Sequence, residues 1–232
     1  MKIIKVKDYK ELSNMVSEII IKEIRKKPNL TIGFATGKSP LGAYKNLIRE
    51  HKKGKVDFSR IKTFNLDEYY PINADDKKSY RAYMFNNIFN KINIKKDNIN
   101  LLDGTAKNFK KECEDYEDKI KKNPIDLQIV GIGVNGHIGF NEPGSTIVSR
   151  TRLVDLASET IKRNKYLGKA LTMGISTILK SKRIILLASG KEKARAVRDF
   201  IIGDIDKNIP ASFLRKSKNL IVIIDKEAGS LL

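Results

Sequence analysis

Short apolar runs alternate with amphipathic stretches along the whole chain. The apolar runs predict buried β-strands, which lie at Ile3–Val6, Leu30–Ala35, Ile61–Leu66, Leu127–Val130, Ile184–Ala188 and Leu220–Ile224. The stretches between them repeat apolar residues at helical spacing and predict helices at Leu12–Ile24, Leu41–Ile48, Ser79–Phe89, Phe109–Ile120, Leu171–Leu179, Ala194–Phe200 and Pro210–Leu214. Strands that alternate with helices are typical of βαβ units. We therefore predict a Rossmann-like, doubly wound α/β fold, with a mainly parallel sheet, helices on both faces and one domain over residues 1–232.

Polar segments follow the predicted strands at the points where those strands end. These segments are Thr36–Ser39, Asp67–Tyr69, Gly131–Glu142 and Ser189–Lys193. In sheets of this class, ligands bind at the carboxyl ends of the strands. The sequence therefore predicts that the four segments share one site.

The glycine-rich stretch DLQIVGIGVNGHIGFNEPGS, at residues 126–145, carries most of the candidate chemistry. Asn135, His137 and Glu142 emerge from it just after an apolar strand. A lone histidine is often structural, but an imidazole in such a loop beside an amide and a carboxylate favours proton transfer. His51, the second histidine, lies at a helix end and is expected to be only solvated.

Two segments of the chain partly match nucleotide-binding motifs, but their neighbouring residues do not fit those motifs. Gly131–Gly136 matches GxGxxG, with Asp155 near the ribose-binding offset, but Pro143 and its neighbouring glycines prevent the helix that this fingerprint needs. The sequence TGKS at residues 36–39 resembles the end of a phosphate-binding P-loop, but Ile32 occupies the position of the first glycine. Neither a dinucleotide nor a P-loop nucleotide is predicted.

The segment Thr36-Gly37-Lys38-Ser39 is still a candidate anion site. Ser39 suits a helix N-cap and Pro40 a first helical position, and helix N-termini bind anions. The alternative is a capped helix start without a ligand. Asp67 likewise suits either a general base or part of an N-cap pair with Glu68, and spacing does not separate the two.

Charge is the strongest compositional signal, with a formal net charge of +19. Lysines are mixed with acidic residues along the chain, aromatic residues make up 7 % and Trp is absent, so nucleic-acid binding is disfavoured. A basic field would attract a phosphorylated small molecule. A lone Cys113 and two distant histidines argue against a metal site, and no apolar run approaches the roughly 20 residues of a membrane span. No secretory segment is recognised, so we expect a cytoplasmic protein.

Taken together, the motifs resemble those of the glucosamine-6-phosphate deaminase (isomerase) family. The matching stretches follow the family order over nearly the whole chain and read GFATGKSPLGAYKNL, TFNLDEYY, SYRAYMFNNIF, DLQIVGIGVNGHIGFNEPGS, SRTR, ALTMGISTIL, LLASGKEKARAV and PASFLRKSKNLIVIIDKEA. The resemblance implies conversion of glucosamine 6-phosphate and water to fructose 6-phosphate and ammonia, without a cofactor. The oligomeric state stays open.

The resemblance also implies roles for individual residues. His137 matches the group that moves the ring-oxygen proton, Asn135 and Glu142 those that orient and tune it, and Asp67 the base that acts at C2 and C1. The phosphate-binding positions correspond to Thr36, Gly37, Lys38, Ser39 and Lys193.

The chain departs from the family pattern in three places. Asn135 stands where some members carry Asp, so we expect it to orient His137 rather than to raise its basicity. The segment between Asn164 and Ala170 is short, and the arginine that closes over the phosphate has only Arg163, Lys165 or Lys169 as candidate substitutes. Members regulated by N-acetylglucosamine 6-phosphate carry a basic residue where this chain has Val154, so no such activation is predicted.

Three rival functions are considered. A 6-phosphogluconolactonase shares the architecture, but its loop differs from NGHIGFNEPG at the position of Glu142. A deaminase for an epimeric amino-sugar phosphate stays open as an alternative, because no residue in the sequence indicates which configuration at C4 of the sugar is preferred. A sugar-phosphate-responsive regulatory or nucleic-acid-binding protein is disfavoured, because Asp67, His137 and Glu142 are all present.

Overall fold

The computed structural model describes residues 1–157, 160–161 and 168–232. Within these residues, seven strands pair in parallel in the order β1-β10-β9-β6-β2-β3-β5. Their bounds are β1 Lys2–Val6, β2 Thr31–Phe34, β3 Lys62–Asn65, β5 Ile99–Asn100, β6 Leu127–Gly131, β9 Ile184–Ala188 and β10 Leu220–Asp225. The predicted parallel sheet is confirmed, and each predicted strand forms within a residue or two of its expected bounds.

A second, antiparallel sheet lies beside the first and was not predicted. It contains, in the described residues, β4 (Asp67–Tyr70), β8 (Lys169–Thr172) and β7 (Arg152–Asp155) in the order β4-β8-β7. The expected helix at Leu171–Leu179 is therefore wrong in its first part, because Ala170 and Leu171 are buried between two partner strands. Asp67 begins a paired strand instead of standing in a loop.

Helices cover both faces of the parallel sheet, as predicted. Their bounds are α1 Tyr9–Lys26, α2 Leu41–Lys52, α3 Tyr80–Asn87, α4 Phe109–Lys122, α5 Ile175–Leu179 and α6 Ala194–Ile202. Helices α1, α2 and α3 pack on one face with Ile129 and Ile185, whereas α4, α5 and α6 pack on the other with Val130 and Leu186. Because side chains alternate along a strand, one short apolar run supplies both layers. The segment Pro210–Lys216 forms a 3-10 helix.

Helix starts agree with the sequence in one case and differ in another. Ser79 is the N-cap of α3, and its hydroxyl accepts a hydrogen bond from the N–H of Ala82, as predicted. Ser39 is not the N-cap of α2. Pro40 occupies that position, and no side chain of the cap residue bonds the helix. Proline can hold the required φ at a helix start without donating a hydrogen bond, so the turn forms one residue later than expected.

The four polar segments leave adjacent strands of the parallel sheet. β9, β6, β2 and β3 are neighbours, and their carboxyl ends continue into the segments that contain Lys193, His137, Thr36 and Asp67. The chain between β6 and β7 turns without forming a helix, so the GxGxxG pattern at Gly131–Gly136 lacks the helix that a dinucleotide-binding site requires. No helix among the described residues is long and apolar enough to cross a membrane.

Candidate active site

A pocket of about 860 Å³ opens at the carboxyl ends of these strands. It is lined by most of the predicted site residues, namely Thr36, Gly37, Lys38, Ser39, Asp67, His137 and Lys193. Asn135 and Glu142 do not line it, but both contact the Nδ1 atom of His137. The sheet therefore brings all four segments to one cavity, as the positions of the strand ends predicted.

Asp67 is a buried carboxylate at one wall of the pocket, with a residue exposure of 5 %. Its Oδ1 atom has no hydrogen-bond partner in the part of the chain that the structure describes. Burial raises the pKa of Asp67 to about 8, the negative charge of Glu68 adds to the rise, and the nearby Thr36 hydroxyl opposes it. A buried polar atom without a partner requires an explanation, and here it belongs to a residue that lines a cavity large enough for a ligand.

Glu68 holds the strand that carries Asp67 and was not among the predicted site residues. Its carboxylate accepts hydrogen bonds from the N–H groups of Tyr69, Tyr80 and Arg81 at 2.7–2.8 Å. The last two belong to the first turn of α3, where a carboxylate also meets the positive end of the helix dipole. Burial raises the pKa of Glu68, although these N–H groups lower it in part. The helix-capping interpretation thus describes Glu68, while Asp67 faces the pocket.

Tyr80 is a further pocket residue that sequence reasoning missed. Its ring stacks on Phe140, with the centroids 5.8 Å apart and the planes 2° from parallel. Burial, with the charge of Asp67, raises the pKa of Tyr80 well above its usual value. An aromatic residue directly after the capping serine of a helix looks like core in the sequence, and only the tertiary structure places it beside Asp67.

His137 faces the pocket and is oriented by two acceptors. Its Nδ1 atom lies 2.7 Å from Asn135 Oδ1 and 3.3 Å from Glu142 Oε2. Asn135 Nδ2 donates to Glu142 Oε2 at 3.0 Å, which fixes the amide with its oxygen toward the imidazole. Because both neighbours of Nδ1 accept, the hydrogen-bond pattern assigns the ring proton to Nδ1. Nε2 then carries a lone pair that can take a proton.

Glu142 stays ionised beside this imidazole. Burial alone would raise its pKa, but hydrogen bonding and charge interaction with His137, with support from Thr160 and Asn135, lower the pKa of Glu142 to about 2. Thr160 donates to Oε1, so the two carboxylate oxygens serve different partners. A fixed negative charge behind His137 stabilises the imidazolium that forms when Nε2 accepts a proton.

Two glycines make room for these catalytic candidates. A Cβ atom on Gly133 would lie 2.3 Å from the His137 ring, so only glycine lets the imidazole pack on this turn. Gly139 has φ +55, and a Cβ there would lie 3.3 Å from Asp67 Oδ2. The backbone of the histidine loop therefore approaches the carboxylate from the other strand end, which places the two in one reaction volume.

The loop of residues 36–39, which lines the same pocket, suits an anion. Gly37 adopts φ +93, and the N–H groups of Gly37, Lys38 and Ser39 have no hydrogen-bond partner within the described residues. Consecutive unpaired N–H groups in such a turn form a concavity that favours negative charge. Lys193 lines the same pocket, is 7 % exposed, and donates from Nζ to the carbonyl of Ile132 at 2.7 Å.

The candidate substitutes for the phosphate-closing arginine have different outcomes. Arg163 and Lys165 lie outside the described residues. Lys169 lies on β8, pairs with Asp155 at 3.4 Å, and is not among the residues that line the pocket. No cluster of metal-binding side chains occurs in residues 1–157, 160–161 and 168–232.

Together, the fold and the site are those of an α/β enzyme whose pocket lies at the carboxyl ends of a parallel sheet. The family model of glucosamine-6-phosphate isomerases and 6-phosphogluconolactonases matches residues 7–223. The chain belongs to this family.

The most informative relatives are named as deaminases. A glucosamine-6-phosphate deaminase of Clostridium novyi (strain NT) is 51 % identical over 241 residues, covering 100 % of both chains. One from Thermoanaerobacter sp. (strain X514) is 47 % identical and covers 100 % of this chain and 95 % of the relative. The solved structure of a monomeric glucosamine-6-phosphate deaminase superposes with a TM-score of 0.97 at 43 % identity, covering 100 % of both chains.

The lactonase branch of the family is more distant. A 6-phosphogluconolactonase of Thermotoga maritima superposes with a TM-score of 0.80 at 24 % identity, covering 97 % of this chain and 99 % of the other. At that identity the likeness concerns the fold alone. The sequence comparison thus separates the two activities that the family name joins.

Proposed function

We propose that this protein converts glucosamine 6-phosphate and water to fructose 6-phosphate and ammonia. The observation that carries the proposal is that one pocket contains both Asp67, a buried carboxylate with one unpartnered oxygen, and the oriented His137 imidazole. The deaminases named above, similar over the full chain, support the same reaction. A sugar phosphate also suits the anion-binding end of the cavity.

Ring opening comes first, because the C2 proton is acidic only beside an open-chain C1 aldehyde. In our proposal, His137 Nε2 takes the proton of the C1 hydroxyl and delivers it to the ring oxygen as the C1–O bond breaks. Asn135 and Glu142 hold Nδ1 and stabilise the transient imidazolium. An imidazole is suited to this step because the same ring nitrogen can accept a proton and then donate it.

Isomerisation follows at the other wall of the pocket. Asp67 removes the proton from C2, which gives an enolic amine, and the same carboxyl then returns a proton to C1. The product is a C2 imine. Water adds to it and ammonia leaves, so atoms and charge balance without an external redox group or cofactor. A base whose pKa lies near the working pH is effective in both directions of proton transfer.

The phosphate is proposed to bind at the loop of residues 36–39 and at Lys193. The backbone N–H groups of that loop supply donors, and Lys193 supplies a positive charge within the same cavity. The net charge of +19 adds a field that draws the anionic substrate toward the pocket. We further propose that residues 1–232 act as one domain, that the enzyme works in the cytoplasm, and that N-acetylglucosamine 6-phosphate does not activate it.

The test uses purified protein with glucosamine 6-phosphate, and measures ammonia and fructose 6-phosphate together. Equal molar release of both is the expected result, with galactosamine 6-phosphate as the epimer comparison. Lactone hydrolysis of 6-phosphogluconolactone is measured in parallel. Absence of both deaminase products, with lactone hydrolysis present, would reverse the proposal in favour of the other branch of the family.

A further inference from the structure

Two tyrosine hydroxyls hold the loop after β2. Tyr9 also lines the pocket, whereas Tyr83 does not. Tyr83, on α3, donates to the carbonyl oxygen of Gly37 at 2.6 Å. Tyr9, the first residue of α1, donates to the carbonyl oxygen of Lys38 at 2.9 Å and accepts from the N–H of Gly42 at 2.8 Å. Helices from two other parts of the chain therefore fix successive peptide groups of one loop.

Because of peptide geometry, these two contacts also fix the direction of the backbone N–H groups of Lys38 and Ser39. A trans peptide is planar, and its C=O and N–H bonds point in opposite directions. With the Gly37 carbonyl held by Tyr83, the N–H of Lys38 points away from Tyr83. With the Lys38 carbonyl held by Tyr9, the N–H of Ser39 points away from Tyr9. Both N–H groups are unpaired in the described chain, and both residues line the pocket.

The loop needs such support because its internal hydrogen bonding is sparse: in the described residues the Lys38 carbonyl accepts from the N–H of Leu41 at 3.3 Å, and the Gly37 carbonyl has no bond of this kind. Helix α2 has no side-chain cap of its own, and Gly37 at φ +93 has no atom within 4 Å of where a Cβ would be. Without the Tyr83 hydroxyl, the Gly37 peptide group could rotate and turn its carbonyl oxygen toward a bound anion. Without the Tyr9 hydroxyl, the Lys38 carbonyl would keep only the longer bond from Leu41, and its peptide group would be less firmly held. An oxygen dipole in that place would repel the phosphate instead of donating a hydrogen bond to it.

We propose that Tyr9 and Tyr83 are positioning residues for phosphate recognition, acting through the backbone of residues 37–39 and not by contact with the reacting carbons. The inference rests on the proposed function, since it names how that site holds its phosphate. Burial raises the pKa of Tyr83, so its hydroxyl remains a donor throughout the pH range of an assay.

Tyr9→Phe and Tyr83→Phe test the proposal, because each keeps the ring and removes only the hydroxyl. The dissociation constant of inorganic phosphate is measured by calorimetry, beside KM and kcat for glucosamine 6-phosphate and the melting temperature. We expect each variant to weaken phosphate binding and raise KM by about three- to tenfold, the range for one lost hydrogen bond, with kcat within about twofold.

Tyr70→Phe is the matched control. The Tyr70 hydroxyl also donates to a backbone carbonyl, that of Ala106, at 2.9 Å, but Tyr70 does not line the pocket. We expect this variant to lose a similar amount of stability and to keep the phosphate affinity of the unaltered protein. An equal loss of phosphate affinity in Tyr70→Phe would overturn the proposal, because the effect would then be general destabilisation.

Other outcomes also decide the question. Unchanged phosphate affinity in both test variants, or a fall in kcat with KM unchanged, overturns the positioning role, as does an unaltered protein that binds no phosphate. The calorimetric readout does not need turnover. If the unaltered protein fails to deaminate its substrate but phosphate affinity falls only in the two test variants, the proposed function fails and the positioning role stands.

Discussion

Replacement of Asp67 by Asn should abolish activity and stabilise the fold at the same time. In the native chain the carboxyl is buried, lies next to Glu68, and has one oxygen without a partner. The amide has nearly the same shape but carries no charge and cannot accept the C2 proton. General acid–base groups typically contribute 10²–10⁴-fold, so we expect turnover to fall at least about a hundredfold.

The gain in stability follows from the shifted pKa of Asp67, which rises from 3.8 to about 8. A raised pKa means that the folded state binds more protons than the unfolded state between these values. The free energy of unfolding of the native protein therefore falls as pH rises from about 4 to 8. At about 1.4 kcal/mol per unit, the ceiling is about 6 kcal/mol well above pH 8, and about 3 kcal/mol at pH 6.

The measurement is chemical unfolding of both proteins at several pH values from 4 to 9, with turnover measured in parallel. The difference in unfolding free energy, variant minus native, should be near zero at pH 4 and grow until about pH 8. In the native enzyme, kcat/KM should rise over the upper part of the same range, because the base must be ionised. A difference independent of pH, or near-normal turnover in the variant, would refute the reasoning.

Three further predictions concern the histidine loop and the overall charge. Glu142→Gln should lower stability at pH 7 by up to about 3 kcal/mol, because the surroundings of Glu142 lower its pKa to about 2. The native protein should lose this stabilisation as pH falls from about 4.5 to 2. Equal stability of variant and native protein in urea at pH 7 would contradict the stabilisation of this carboxylate by its neighbours. Gly133→Ala should displace the His137 ring and reduce kcat at least about tenfold with a smaller change in KM, whereas normal kcat would show that the ring does not need its place on this turn. Raising the ionic strength from about 20 to 500 mM should reduce kcat/KM severalfold through screening, and a rate independent of salt would exclude electrostatic attraction of the substrate by the +19 charge.

Local sequence determined the layers of the fold and the chemistry of the loop. The runs at β6, β9 and β10 are short, bounded and mostly apolar, so they form buried parallel strands wherever they pair. The group Asn135, His137 and Glu142 is also local, since all three side chains meet within one turn of chain. Patterns contained in a few consecutive residues can be interpreted without knowing the rest of the molecule.

The tertiary structure alone decided what each strand end faces. Residues 169–172 have an apolar pattern that also suits a helix, and they form a strand only because β4 and β7 offer backbone partners on both sides. Asp67 and Glu68 are adjacent carboxylates with the same intrinsic chemistry. One faces an open pocket while the other receives the N–H groups of α3, and neighbours distant in sequence make that difference.

The same reason explains the tyrosines around the phosphate loop. Tyr9 and Tyr83 are 29 and 46 residues from the carbonyls that they hold, so no spacing within the sequence connects them to the loop. The sequence by itself determined which groups are available for proton transfer and which loop resembles an anion site. Which hydroxyls orient that loop, and which carboxylate lines the pocket beside it, depends on long-range packing, because a hydrogen bond between distant residues exists only once the sheet has brought them together.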